Sequence, residues 1–262
     1  MPTRVFSQKE FLLFSLIATG VVFLLANAIH EEQHPLVENR VYFTDILFIT
    51  IPPIAIILSS ILVIRYGITG SHSASWILFT VAIGVWYAAE LVYMYEAEYK
   101  IESAGFSISD LFYIVGYVVF FAFAIFYLKP VKNKISKKMI LTTVIIASSL
   151  LAPTLYFVYN EPIEDNLEHA INTIYPILDV IILIPSLIAL VLFFRGEVNF
   201  LWITVSLGVM FDVAGNTTYL IERYNETFSA GSIADLFYIW TYVFFAFGAY
   251  NHVKIFKTTK KN

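Results

Sequence analysis

Cysteine is absent from this chain of 262 residues, so neither a disulfide framework nor a thiolate metal site is available to it. Charge is scarce as well: only 14% of residues are Asp, Glu, Lys or Arg, against about a quarter in soluble chains. No basic face suited to nucleic acid is visible. The net charge of −4 says little about partners, because in a membrane chain the placement of charges matters more than their sum. Lys and Arg are missing from the interior of every long apolar run. A retinal protein carries its Schiff-base lysine midway along its last span, so a rhodopsin-like photoreceptor does not fit. No A-x-A-like cleavage site follows the first apolar run, and that run therefore reads as a retained span rather than a signal peptide.

Apolar residues are abundant. They make up 59% of the chain, aromatics alone 17%, and the mean hydropathy of +0.76 exceeds what a soluble core needs. Most of this surface must face lipid. Eight stretches have the roughly 20 apolar residues that cross a bilayer: 11–29, 43–64, 74–95, 110–128, 139–159, 171–194, 198–221 and 233–253. Lys and Arg crowd alternate connections (Arg65; Lys129, Lys132, Lys134, Lys137, Lys138; Arg195; Lys254 and Lys257), while Glu31, Glu96, Glu98, Glu161 and Asp165 mark the others. The positive-inside rule then places both termini in the cytoplasm. The expected fold is an all-α integral protein of the cell membrane with eight transmembrane helices.

The sequence also repeats. SAGFSISDLFYIVGYVVF at 103–120 returns as SAGSIADLFYIWTYVFF at 229–245, and TVAIGV at 80–85 returns as TVSLGV at 204–209. Prolines interrupt the second span (Pro52, Pro53) and the sixth (Pro176, Pro185). Residues 1–133 and 134–262 are therefore expected to form two four-span repeats of one membrane domain. An even span count makes them parallel, related by an axis along the membrane normal.

Several motifs have both a bland and a functional reading. Ser107-x-x-Asp110 and Ser232-x-x-Asp235 have capping-box spacing at the starts of spans four and eight. Tyr113 and Tyr117, and likewise Tyr238 and Tyr242, share a helical face with those aspartates, as ligand-binding groups or as members of an interfacial aromatic belt. His30-Glu31-Glu32-Gln33-His34 matches H-E-x-x-H, but Pro35 disfavours helix at His34, which leaves a zinc hydrolase poorly supported. No other catalytic or metal constellation appears, and no cofactor is implied. Ionisable groups inside the bilayer are more informative. Asp179 and Asp212 lie at similar depth in spans six and seven, Asn216 stands one turn above Asp212, and Glu90 is shallower in span three. With no basic partner in any span, these acids either hydrogen-bond neighbouring helices or line an outward-facing polar pocket for a cation, an amine-bearing ligand or a proton.

One stretch is similar to a known group. Tyr175-Pro176-x-Leu178-Asp179, then Arg195, a span containing Trp202, and Ser232-x-x-Asp235-Leu-Phe-Tyr238-x-x-x-Tyr242 resemble the multi-span sensor regions that precede diguanylate cyclase and histidine kinase domains in bacteria and archaea. The resemblance covers most of 170–250. It implies a sensor whose output, with no effector domain following the last span here, passes to a cytoplasmic signalling partner. The expected function is thus a stand-alone membrane sensor or ligand-binding module, with a small-solute or cation secondary transporter as the alternative.

Overall fold

A computed structural model of the protein describes residues 43–99, 106–160, 166–193, 199–225, 227–228 and 232–259. The expected first span at 11–29, the His30–His34 motif and parts of two acidic connections lie outside the described residues. Within them the chain is helical and holds no strand. Seven α-helices follow in order: α1 (Phe43–Tyr66), α2 (Ser71–Glu98), α3 (Ile108–Leu128), α4 (Lys137–Asn160), α5 (Asn166–Phe193), α6 (Asn199–Tyr224) and α7 (Ile233–Thr259), with a 3-10 turn at Lys129–Lys134 between α3 and α4. All seven are long and apolar enough to cross a membrane, as in a multi-pass membrane protein. They coincide with the second to eighth expected spans, extended by a few polar residues at their ends.

Helix is the only open structure that satisfies every backbone group in hydrocarbon, so helices persist here even through proline. Pro53 leaves the Ile49 carbonyl without its intrahelical donor. The Tyr87 hydroxyl of α2 donates to that carbonyl at 3.3 Å, so a gap in α1 becomes a bond between helices.

Six of the helices close a ring, each packed on its two neighbours in the order α1, α2, α3, α5, α6, α7 and back to α1. Helix α4 lies outside the ring against α5 and touches α6. The ring is filled with aromatic side chains: Phe79, Phe120, Phe123, Phe245 and Trp202 are fully buried, with centroids 4.8 Å apart for Phe79 and Phe123 and 5.4 Å for Phe120 and Phe245. Because lipid is as apolar as the core, close packing rather than water exclusion holds such helices together. Glycine makes the approach possible. A Cβ on Gly116 would run into the Trp86 indole, and one on Gly215 would lie 2.7 Å from the Tyr238 ring.

The two ends of the bundle differ. At one, Arg65 donates to the Val253 carbonyl at 2.7 Å, near the Lys129–Lys134 turn. At the other, Glu96 accepts from the Ile108 N–H and the Ser109 hydroxyl, and Arg223 pairs with Glu168 at 2.8 Å.

Candidate functional site

Helix α3 starts from Ser107, whose side chain accepts from the Asp110 N–H at 3.1 Å while the Ser107 N–H donates to Asp110 Oδ2 at 2.9 Å. The capping box is formed, but it uses only part of Asp110. Its Oδ1 accepts from the Tyr175 hydroxyl of α5 at 2.7 Å, so the cap also ties α3 to α5. The second copy differs: Ser232 Oγ is buried without a hydrogen-bond partner among the described residues.

From these starts, Tyr113 and Tyr117 project one turn apart from α3, and Tyr238 and Tyr242 one turn apart from α7. None serves as an interfacial belt. All four hydroxyls point inward, and their bonds cross between the repeated motifs. Tyr113 and Tyr242 donate to the two oxygens of Glu90 at 2.9 and 3.3 Å. Tyr238 donates to Asn216 Oδ1 at 2.8 Å. That bond orients the Asn216 amide, whose NH2 donates to Asp179 Oδ1 at 2.9 Å and to the Tyr117 oxygen at 2.7 Å.

Tyr117 is the junction. Its hydroxyl stands 2.7 Å from Asp179 Oδ1 and 3.0 Å from Asp212 Oδ2, and it carries one hydrogen. Tyr117 can donate to only one of the two carboxylates. The other short contact is a hydrogen bond only when that carboxyl brings a proton of its own. Asp179 is 2% exposed and Glu90 7%, and among the described residues no basic side chain bonds Asp179, Asp212 or Glu90. Two acids beside one shared hydroxyl in a low-dielectric setting favour a bound proton or cation over two bare charges. Along α6, Asp212 lies 12 residues from Tyr224, roughly 18 Å of helix from the acidic end.

No family profile, curated protein or solved structure matches this chain. Its functional reading therefore rests on this geometry.

The residues expected to share one pocket divide into two neighbouring groups. Asp179, Asp212, Asn216, Tyr117 and Tyr238 form one network, and Glu90 with Tyr113 and Tyr242 forms another, its tyrosines one helical turn from Tyr117 and Tyr238 on α3 and α7. A crevice reaches Asp179 from the side of α4. Among the described residues no cluster of three or more His, Asp and Glu has metal-binding geometry.

Sequence reasoning missed two features. Trp86 packs on Gly116 and donates its indole N–H to the Tyr113 carbonyl at 3.2 Å, which seats the Glu90 group. At the Lys-rich end, the Tyr66 hydroxyl and His252 Nε2 are 2.8 Å apart, and the Tyr66 ring also stacks against His72. The signal for this second site was a histidine inside the last apolar run.

Proposed function

We propose that the chain is a membrane sensor or ligand-binding module of the cell membrane, with the Lys-rich end and both termini in the cytoplasm. Its Asp179–Asp212 pair, of which Asp179 is buried, takes a proton, a cation or an amine-bearing ligand. The observation that carries this reading is the single Tyr117 hydroxyl set between two carboxylates. A bound cation or proton would settle the pair and pull α3, α5 and α6 together, since each contributes one of the groups it bridges. Three helices whose spacing depends on occupancy are a means of passing a signal to a cytoplasmic partner, as the resemblance to sensor regions implies. Lipid is the other partner.

A secondary transporter is the second reading, and the neighbour pattern favours it. Helix α2 packs on α3 as α6 does on α7, α1 on α2 as α5 on α6, and α3 on α5 as α7 on α1. This is the pattern that two parallel four-span repeats would produce, and transporters place their sites between such halves.

The test uses Asp179→Asn and Asp212→Asn, each examined by thermal shift in detergent with methylammonium, sodium and potassium across pH. The wild type is expected to be stabilised by at least one of these cations and the two variants to lose that response. Absence of cation or pH dependence in the wild type overturns the reading. Flux of the stabilising cation into sealed vesicles would decide for transport, binding without flux for sensing. Orientation is read separately, by labelling Lys134→Cys and Glu98→Cys with an impermeant thiol reagent. Reaction of both from the outside would defeat the assigned topology.

A further inference from the structure

Three partners meet at the Tyr117 oxygen: Asn216 Nδ2 at 2.7 Å, Asp179 Oδ1 at 2.7 Å and Asp212 Oδ2 at 3.0 Å. All three distances are those of hydrogen bonds, and each bond needs a hydrogen of its own. The bond from Tyr238 turns the Asn216 NH2 toward Tyr117, so the amide supplies the first. The phenol supplies the second. While both acids are ionised, nothing supplies the third. A phenol oxygen accepts as well as donates, so one added proton, on either carboxyl, completes the junction. A second proton adds no bond there.

The surroundings offer no cation in its place. The titratable groups that face the pair are acids and phenols: Glu90 on α2, Tyr175 on α5 with its ring 6.3 Å from that of Tyr117, and Tyr238 and Tyr242 on α7. Helix α4 presents Thr154, whose hydroxyl meets that of Thr217 on α6 at 3.0 Å. The crevice that Asp179 borders there has room for about one water, so nothing bulky enters from that side. A proton needs no space.

We propose that Asp179 and Asp212 hold one proton between them, bound because two carboxylates compete for the single Tyr117 hydrogen, and that its loss frees α6 from α3. The assignment names the ligand of the acidic pair when no cation is present, and rests on that reading. On release the carboxyl O–H bond breaks and the proton passes to water. The Tyr117 hydrogen then stays with Asp179, the shorter contact, where Asn216 also donates. Asp212 is left charged, with no hydrogen toward Tyr117. The contact that opens spans the ring, since α3 and α6 are not neighbours in it.

Infrared difference spectra of the protein in lipid nanodiscs test this, read at the carbonyl stretch of a protonated carboxyl and confirmed by its shift in D2O. Against the double variant Asp179→Ala, Asp212→Ala, the wild type at neutral pH is expected to show the band of one carboxyl. Each single Ala variant leaves one acid with the Tyr117 hydrogen to itself and should lose the band. Where an Ala variant does not fold, Asp212→Asn, whose amide brings the missing hydrogen, or Asp179→Leu, apolar and of the same branched shape, carries the same expectation. Acidification from about pH 8 to about pH 5 should also stabilise the wild type relative to Asp212→Asn, by up to about tenfold in the unfolding constant per pH unit, the slope of one proton bound in the folded state. A band that persists in either single variant gives the proton to the surviving acid alone and overturns the shared site. A wild-type band of two carboxyls, or of none, does the same. The acidic-pair reading itself fails only if methylammonium, sodium, potassium and pH are all without effect on wild-type stability.

Discussion

Glu90 and the Asp179–Asp212 pair are built from the same parts but do not reach the same state. At Glu90 two tyrosine hydroxyls serve one carboxylate, one on each oxygen, and every contact has its own hydrogen. At Asp179 and Asp212 one hydroxyl hydrogen stands between two carboxylates, with Asn216 bonding Asp179 and the Tyr117 oxygen. The tyrosines come from the same Tyr-x-x-x-Tyr pattern in both sequence repeats, yet α3 sends one hydroxyl to each group and so does α7. Equal motifs thus produce one carboxylate with a hydrogen for every contact and one pair that is a hydrogen short. The pair is where the proposed ligand would act.

Replacing the junction should have the largest effect. Tyr117→Phe leaves Asp179 with one donor and Asp212 with none, and is expected to destabilise the fold by about 3 kcal/mol or more, read as a lower unfolding midpoint in detergent. Tyr242→Phe at the saturated group removes a longer bond and should lose only about 1 kcal/mol. Equal losses in the two variants would erase the contrast.

Next come the glycines that let the rings approach. Gly215→Ala places a methyl against the Tyr238 ring, and Gly116→Ala places one against Trp86, so each should lose about 1 to 3 kcal/mol. Gly84→Ala meets no atom within 4 Å and should be neutral or stabilising by up to about 1 kcal/mol, because alanine is the better helix former. Melting curves of the three variants check this. A destabilised Gly84→Ala would mean that helix packing there is not set by steric approach.

pH sharpens the comparison further. Protons and cations compete for the same carboxylate oxygens, so cation binding displaces protons and the stabilisation by a cation must fall as pH falls. Between about pH 8 and about pH 5, across the range where carboxyl groups in proteins can titrate, the cation-induced shift of the wild type should shrink, and that of Asp212→Asn should be small throughout. A shift that grows on acidification would show that the cation binds elsewhere.

The smallest change is expected at the saturated carboxylate. Glu90→Gln keeps its carbonyl oxygen as acceptor for the shorter Tyr113 bond, and its amide NH2, a donor only, takes the place of the second acceptor, so the Tyr242 hydroxyl must turn to accept from it. The cation affinity of the neighbouring pair should therefore change by less than about tenfold, a limit of about 1.4 kcal/mol. Titration by thermal shift measures it. A loss as complete as that of Asp179→Asn would join the two groups into a single site.

Much of this protein can be read from its sequence. The apolar runs at 43–64 through 233–253 foretell all seven described helices, because in hydrocarbon an apolar stretch of that length has no alternative to helix. Ser107 and Asp110 foretell their capping box, a contact between residues three apart that needs no tertiary information. The intramembrane acids were visible as well, since depth follows from counting residues along a helix. Helix rotation and neighbour choice were not. Periodicity puts Tyr113, Tyr117 and Asp110 on one face, but which carboxylate each hydroxyl meets depends on helices far away in the chain, Tyr117 finding Asp179 and Asp212 across 62 and 95 residues. The partition into a saturated Glu90 and an unsaturated aspartate pair, the place of α4 outside the ring and the crevice it leaves beside Asp179 were decided by the packing of whole helices. Those outcomes depend on where Gly116 and Gly215 let an aromatic ring settle, a steric event between distant residues that no local pattern encodes.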